Sequence, residues 1–297
     1  MQTVEHYKRK IKNAEDLESI VNTMKVLASV SIRQFEKAAE SLGEYYRTVE
    51  MGLQIVLGHS LSEDLPYVKS AKESCSVIIA LGSGQGLCGS FDERILSFIE
   101  NQLMEEKLSG PRFLVMGERL AAQLEQHERV EKVFNLPGSV SGLNRYALQL
   151  LAAVEKLRLE HNAGRVLIIH NKPVARGRYQ PRVQYLLPLD RHWLNRLADK
   201  EWPTNNLPQF TMDATELFSQ MIRQYLLVSL YRAMAESLAA EHTGRLNSMT
   251  VAEQKIEERL QELNNRYAQE RHKAITEELL DIQSGYRAVE GDKGYQE

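Results

Sequence analysis

The chain has 297 residues, with 43% hydrophobic and 26% charged side chains, which is ordinary for a globular protein. A net charge of −3 gives no global basic field to draw in nucleic acid. No run reaches the roughly 18 consecutive apolar residues of a membrane span, and the opening Met1-Gln-Thr-Val-Glu-His-Tyr-Lys-Arg-Lys10 lacks the apolar core of a signal peptide.

From residue 1 to 58 there is no proline, and alternating steps of three and four residues from Val4 trace a seam. It runs through Val4, Tyr7, Ile11, Ala14, Glu18, Val21, Lys25, Ala28, Ile32, Phe35, Ala39, Leu42, Tyr46, Val49, Leu53 and Val56. Fourteen of these sixteen positions are apolar, the exceptions being Glu18 and Lys25. A repeat of 3.5 keeps one stripe of a helix facing a partner helix, the pattern of a coiled coil. Such a helix would be roughly 80 Å long and is expected to project. The basic cluster Lys8-Arg9-Lys10 with Lys12 could touch an acidic partner surface or form a solvated N-terminal face.

The middle of the chain changes period. Ser76–Leu81 reads as a buried strand followed by a glycine-rich turn, then a helix over Phe91–Lys107. Further strands are predicted at Arg112–Met116, Val130–Leu136, Arg165–His170 and Pro181–Leu189, with helices over Glu118–Gln126 and Asn144–His161. Alternation at this spacing predicts a parallel or mixed sheet covered by helices.

From about Met212 to Val289 proline is again absent. Asp213 is the predicted start and Gly291 the predicted stop. Leu217, Met221, Val228, Tyr231, Ala235, Leu238, Met249, Ala252 and Ile256 keep the 3/4 spacing, interrupted by Gln224, His242 and Arg245. Beyond Ile256 the stripe drifts through Leu260, Leu263, Tyr267, Arg271, Ile275, Leu279, Ile282 and Tyr286, relaxing the 3.5 period.

The expected fold class is therefore α/β: a long antiparallel two-helix coiled coil formed by both termini, plus an inserted Rossmann-like α/β domain. The boundaries are 1–60 for the first coiled-coil helix, 74–200 for the insert, 211–289 for the second helix and 290–297 for a charged tail.

Candidate chemistry is sparse. Gly84, Gly86 and Gly89 form a G-x-G-x-x-G after a strand and before a helix, the setting of a dinucleotide fingerprint. An NAD(P)-binding oxidoreductase is thus one alternative. Against it, Glu105 and Glu106 sit near a helix end, not at a second strand's tip, and no Gly-Lys-Ser/Thr follows for a triphosphate loop. The other reading of these glycines is a structural turn. Ser83 lacks the G-x-S-x-G context of a nucleophile elbow. The eight histidines show no H-x-x-x-H pair and no cysteine at metal spacing. Glu257, Glu258 and Glu262 read as a solvated helix face. Cys75 and Cys88, the only cysteines, fit two reduced thiols, although they could pair.

Leu230-Tyr-Arg-Ala-Met-Ala-Glu-Ser-Leu-Ala-Ala-Glu-His242, Arg245 and Met249 resemble the gamma subunit family of F-type ATP synthases. So do Tyr267-Ala-Gln-Glu-Arg-His-Lys-Ala-Ile-Thr276 with Glu278, Ile282, Ser284 and Gly285. Ile11-Lys12, Ile20, Met24-Lys25, Ala28 and Arg33 look like its opening helix, Gly86-Leu-Cys-Gly89 with Phe91 like its glycine turn, and Leu186-Leu-Pro-Leu189 like its last strand. The resemblance implies a non-catalytic rotor shaft without a cofactor. Its implied partners are the alpha and beta subunits of the catalytic ring, the epsilon subunit and the membrane c-ring, with the chain peripheral on the cytoplasmic face of an energy-transducing membrane. It also implies that Met24, Lys25, Arg271, His272 and Thr276 meet a catalytic-subunit loop, and that the glycine turn binds no nucleotide. Glu15, Asp16, Glu18, His272 and the tail Glu290–Glu297 depart from the family pattern. They suggest a divergent branch such as the alternative sodium-linked ATPases. The cysteine insertion of chloroplast gamma subunits is not present.

Overall fold

The computed structural model describes residues 2–58, 67–68, 75–106, 110–125, 130–175, 177–203, 206 and 208–293, with side chains from residue 4 to 284 except that of Glu106. The predicted ends at residues 59–60, 74, 107 and 126, and the last residues of the tail (294–297), lie outside it, as does the side chain of Tyr286. In chain order the elements are α1 (Gln2–Leu57), β1 (Ser76–Leu81), α2 (Phe91–Glu106), β2 (Pro111–Met116), α3 (Glu118–Leu124), β3 (Val130–Phe134), a single 3-10 turn (Val140–Gly142), α4 (Leu143–His161), β4 (Arg165–Val174), β5 (Arg178–Leu187), α5 (Arg191–Ala198) and α6 (Ala214–Lys293).

The chain divides into two compact units. One comprises Met1–Leu27 with Ser248–Glu297, the other Ala28–Asn247. In the first, the opening of α1 lies beside the far part of α6, and the ammonium of Lys25 donates to the Glu253 carboxylate. The buried or half-buried positions from Val4 to Lys25 include every predicted seam residue. The two polar members are explained differently. Lys25 keeps its stem in the seam and its charge on Glu253, while Glu18 is half-buried. On α6 the seam holds through Ile256, Leu260, Leu263 and Tyr267, and Ala274 is the last half-buried residue.

Arg271, Ile275, Leu279 and Ile282 are exposed, so the predicted stripe does not continue as drawn. The reason is length. Counting from Lys25 back to Val4 along α1, and the same distance forward from Glu253 along α6, arrives at Ala274. Ala274 is thus level with Val4, and among the described residues no side chain of α6 beyond it is buried or half-buried. Nor does α6 stop at Gly291; it passes through Gly285 and Gly291 to Lys293. A helical glycine costs only about 1 kcal/mol, too little to end a helix by itself.

In the second unit, α1 and α6 continue antiparallel. Phe35 stacks on His242 at 5.7 Å, Tyr46 meets Tyr225 at 5.7 Å, and Gly52 faces Met221, so partner numbers fall as α1 numbers rise. Seam residues Ala28 to Val56 are all buried or half-buried. Asp213 does start α6, its Oδ1 accepting the amides of Thr215 and Glu216 at 2.9 and 3.1 Å.

The sheet order is β3-β2-β1-β4-β5. β1 pairs parallel with β2 and β4, β2 parallel with β3, and β5 returns antiparallel on β4. It is a Rossmann-like mixed sheet. All six residues of β1 are buried, as expected for a strand covered on both faces. Successive side chains go to opposite sides: Val77, Ile79 and Leu81 join a core with α4, α1 and α6, while Ile78 and Ala80 join one with α2 and α3. Sequence patterning missed α5, whose Asp190 side chain accepts the His192 amide, and shortened the β4–β5 hairpin. Trp193 on α5 packs on Tyr225 with ring centroids 5.0 Å apart. With Leu194 and Leu197 buried in the core, this anchors α5, whose eight residues are too short to give a clear helical pattern.

Candidate functional site

The parallel strands β1 and β2 end beside α6, and the glycine turn of residues 82–90 carries the chain from β1 into α2. Backbone amides freed by such a turn point toward whatever lies at the helix N-terminus. In a dinucleotide fold that is a pyrophosphate. Here the positions are filled by the chain's own carboxylates. The Ser83 amide donates to Asp92 Oδ1 at 2.7 Å, and the Ser83 hydroxyl to Asp92 Oδ2 at 2.6 Å. Asp92 is buried in the first turn of α2, where the helix dipole favours a negative charge. The amides of Gly84 and Gln85 donate to the two carboxylate oxygens of Glu241 on α6, at 3.2 and 3.3 Å.

Glu241 is in turn neutralised by Arg245, one helical turn on. Arg245 Nη2 donates to Glu241 Oε1 at 2.6 Å and to the Gln85 carbonyl at 3.2 Å. Both side chains are buried. A second guanidinium nitrogen of Arg245 donates to His242 Nδ1 at 2.9 Å. Burial, with Arg245 adding to it, lowers the His242 pKa from 6.5 to about 4, so the ring is neutral. A cavity of about 340 Å³ lies against this cluster, lined by Gly84, Glu118, Arg119, Pro137, Glu241 and Arg245.

A pyrophosphate brought to these amides would meet two buried carboxylates and displace the bonds they make. The dinucleotide reading of Gly84, Gly86 and Gly89 is therefore not supported. Of the three, Gly89 has a φ of 67°, in the region open to glycine. A side chain at Gly84 would make only ordinary contact with Leu136. At Gly86 it would press on the flexible end of Arg119. A tight approach also comes from a glycine on the other partner: a Cβ at Gly244 of α6 would stand 2.7 Å from the Cys88 carbonyl oxygen and 3.1 Å from the Tyr179 ring. Helix backbone thus lies directly on turn backbone.

Cys75 and Cys88 are both free and buried, and burial pushes the Cys88 thiol pKa up. Among the described residues no group of His, Cys, Asp and Glu could hold a metal ion, and no helix is long and apolar enough to cross a membrane. Glu257, Glu258 and Glu262 are exposed along α6.

The other predicted residues lie in the first unit, in two places. Met24 and Lys25 are half-buried in the seam, and the Lys25 charge is already engaged by Glu253. Arg271, His272 and Thr276 are exposed on α6, where the Thr276 hydroxyl donates back to the His272 carbonyl at 2.9 Å. With Lys25 level with Glu253, the two patches stand roughly 27 Å apart along the helices. They do not form one surface. In the helical pattern Arg245 stands as a polar interruption, and the pattern assigns no role to Glu241 or Asp92. The available signal was a Glu–Arg pair at i, i+4 inside an otherwise apolar stripe, which implies a buried polar partner elsewhere in the chain.

A family model described as "ATP synthase" matches residues 3–289. The chain belongs to the ATP synthase family. It is similar to the ATP synthase gamma chain of Aquifex aeolicus, 26% identical over 285 residues that cover 95% of this chain and 96% of that one. The corresponding chain of Campylobacter jejuni is 26% identical over 301 residues, covering 97% and 100%. Among solved structures, a chain of the Euglena gracilis mitochondrial ATP synthase OSCP/F1/c-ring assembly superposes with a TM-score of 0.65 at 17% identity, covering 98% of this chain and 96% of that one. A chain of the rotor of the same organism's enzyme gives 0.64 at 13% identity, covering 92% and 99%. These two likenesses establish the shared fold.

Proposed function

We propose that this chain is the gamma subunit, the central rotor shaft, of a rotary F-type ATP synthase or ATPase. It couples ATP synthesis or hydrolysis in a surrounding catalytic ring to ion translocation through a membrane sector, and performs no catalysis itself. The observation that carries this reading is the pairing of two proline-free helices along a seam whose sixteen α1 positions are all buried or half-buried. Such a pair resists bending and twisting, the mechanical requirement of a shaft. Near full-length similarity to gamma chains supports the same role.

In this role the alpha and beta subunits surround the helices, while the epsilon subunit and the c-ring meet the α/β part. The complex lies on the cytoplasmic face of an energy-transducing membrane. Met24, Lys25, Arg271, His272 and Thr276 contact catalytic-subunit loops. The separation of the two patches fits contacts made at different levels along the shaft. Exposed polar groups such as Arg271 and His272 suit a moving contact, because solvent-exposed ion pairs are worth at most about 1 kcal/mol and break readily.

Co-expression with candidate alpha and beta subunits tests the proposal. One copy of this chain should purify with three copies of each. A stable homodimer that ignores both subunits would overturn it.

A further inference from the structure

We infer that Glu241 and Arg245, acting against Glu236 and Asn247, form a torsional lock that holds α6 against rotation relative to the sheet. Rotation of a helix about its own axis is resisted only by contacts held off that axis and spread around it. At 3.6 residues per turn, Glu236 and Asn247 lie within roughly 20° of each other, and Glu241 and Arg245 cluster roughly 140° to 180° away. Gly244 falls between the two clusters.

Each cluster grips a different part of the sheet. On one flank, Glu236 Oε2 is 3.1 Å from His170 Nε2 on β4, with Lys172 at 3.3 Å, and Asn247 Nδ2 donates to the Gly177 carbonyl of the β4–β5 hairpin at 2.9 Å. On the other flank, Glu241 takes the amides of Gly84 and Gln85, and Arg245 donates to the Gln85 carbonyl. Between them Gly244 sits on the Cys88 carbonyl, so the helix can neither sink nor roll without a clash. Turning α6 either way stretches one set of bonds while pressing Gly244 into the turn.

Apolar packing is non-directional, so it does not by itself fix the rotation of a helix about its axis. On the Glu241–Arg245 flank the bonds are directional, made by buried charged side chains to backbone groups, and on the other flank Glu236 and Asn247 add directional bonds of their own. The bonds are also cross-linked. Arg245 holds both Glu241 and the carbonyl of Gln85, whose amide Glu241 accepts, so neither side of the grip can shift alone. The lock is thus the element through which torque passes between the sheet and α6. This role rests on the rotor reading above.

The test uses the assembled complex with the catalytic ring fixed to a surface. A rotation probe is attached to the sheet unit through Leu159→Cys at an exposed position on α4, and α6 is followed by the polarisation of a small fluorophore attached through Val251→Cys before the ring is assembled. Glu241→Gln preserves shape and removes the charge. With one flank loosened, the angular variance of the Leu159 probe at each ATP-waiting pause should rise above that of the unsubstituted chain. The variance at the Val251 probe and the ATP hydrolysis rate should be unchanged, and ions moved per ATP should fall. Asn247→Ala loosens the opposite flank at an exposed contact that folding does not need, and should widen the Leu159 variance as well. Wild-type variance in both variants overturns the lock. If the unsubstituted chain itself fails to rotate in the ring, the rotor reading has failed instead.

Discussion

Glu241 and Arg245 form an ion pair 2.6 Å apart, both side chains almost withdrawn from water, where α6 meets the glycine turn. Removing one member leaves the other buried without its counter-charge, a loss typically of about 3–5 kcal/mol. Arg245→Met is therefore expected to lower stability by about that amount, measured as the shift in urea midpoint of the purified chain. Pairing it with Glu241→Leu should recover part of the loss, because no uncompensated charge remains. A double variant as unstable as the sum of the singles would contradict the coupling.

Gly244→Ala adds a single methyl group 2.7 Å from a backbone oxygen that cannot swing aside. Helix propensity alone would make the change stabilising. Steric conflict should win, with a net loss of about 1–3 kcal/mol, seen as a lower Tm. An equal change at Gly43 meets nothing within 4 Å and should raise the Tm slightly.

His242 sets a pH dependence. Its folded pKa lies at about 4, below the usual 6.5, because burial and Arg245 disfavour the imidazolium. The unfolded chain therefore binds the proton first as pH falls. Stability from this group is complete above about pH 6.5 and is lost progressively as pH drops towards 4. Allowing for partial exposure, the loss is about 2 kcal/mol. His242→Gln should flatten the stability profile between pH 6.5 and 4, measured by denaturant titration. A profile in this window unchanged by the substitution would count against a neutral, half-buried ring.

Cys88 should react slowly with thiol reagents. Burial both blocks access and raises its pKa, so little thiolate exists near neutral pH. Unfolding in denaturant should release rapid labelling of both cysteines, followed by absorbance of the leaving thiol. Fast labelling of Cys88 in the native chain would show that the glycine turn opens.

Much of this architecture is written in periodicity. The seam from Val4 to Val56 was legible because a 3.5 repeat and helical burial are the same fact seen in sequence and in space. The strands at Ser76–Leu81 and Arg112–Met116 were legible because their buried stretches, Val77–Leu81 and Phe113–Met116, are continuous apolar runs. What pattern could not tell was which amides in the glycine turn were already occupied. That depends on Glu241, which lies far along the chain and reaches the turn only after α6 has folded back. For the same reason the G-x-G-x-x-G spacing at Gly84, Gly86 and Gly89 looked like a cofactor site until Glu241 and Asp92 were placed. The exposure of Leu279 and Ile282 was hidden too, since it depends on how far packing against a second helix extends along α6 and not on the local stripe.

The central claim is that this chain turns as a shaft. Its most direct test is single-molecule rotation: the chain, carrying a probe at Leu159→Cys, assembled with alpha and beta subunits fixed to a surface and supplied with ATP. The account predicts one-directional rotation with three pauses per turn, one for each catalytic subunit. A complex that assembles and hydrolyses ATP while the probe stays still would contradict it.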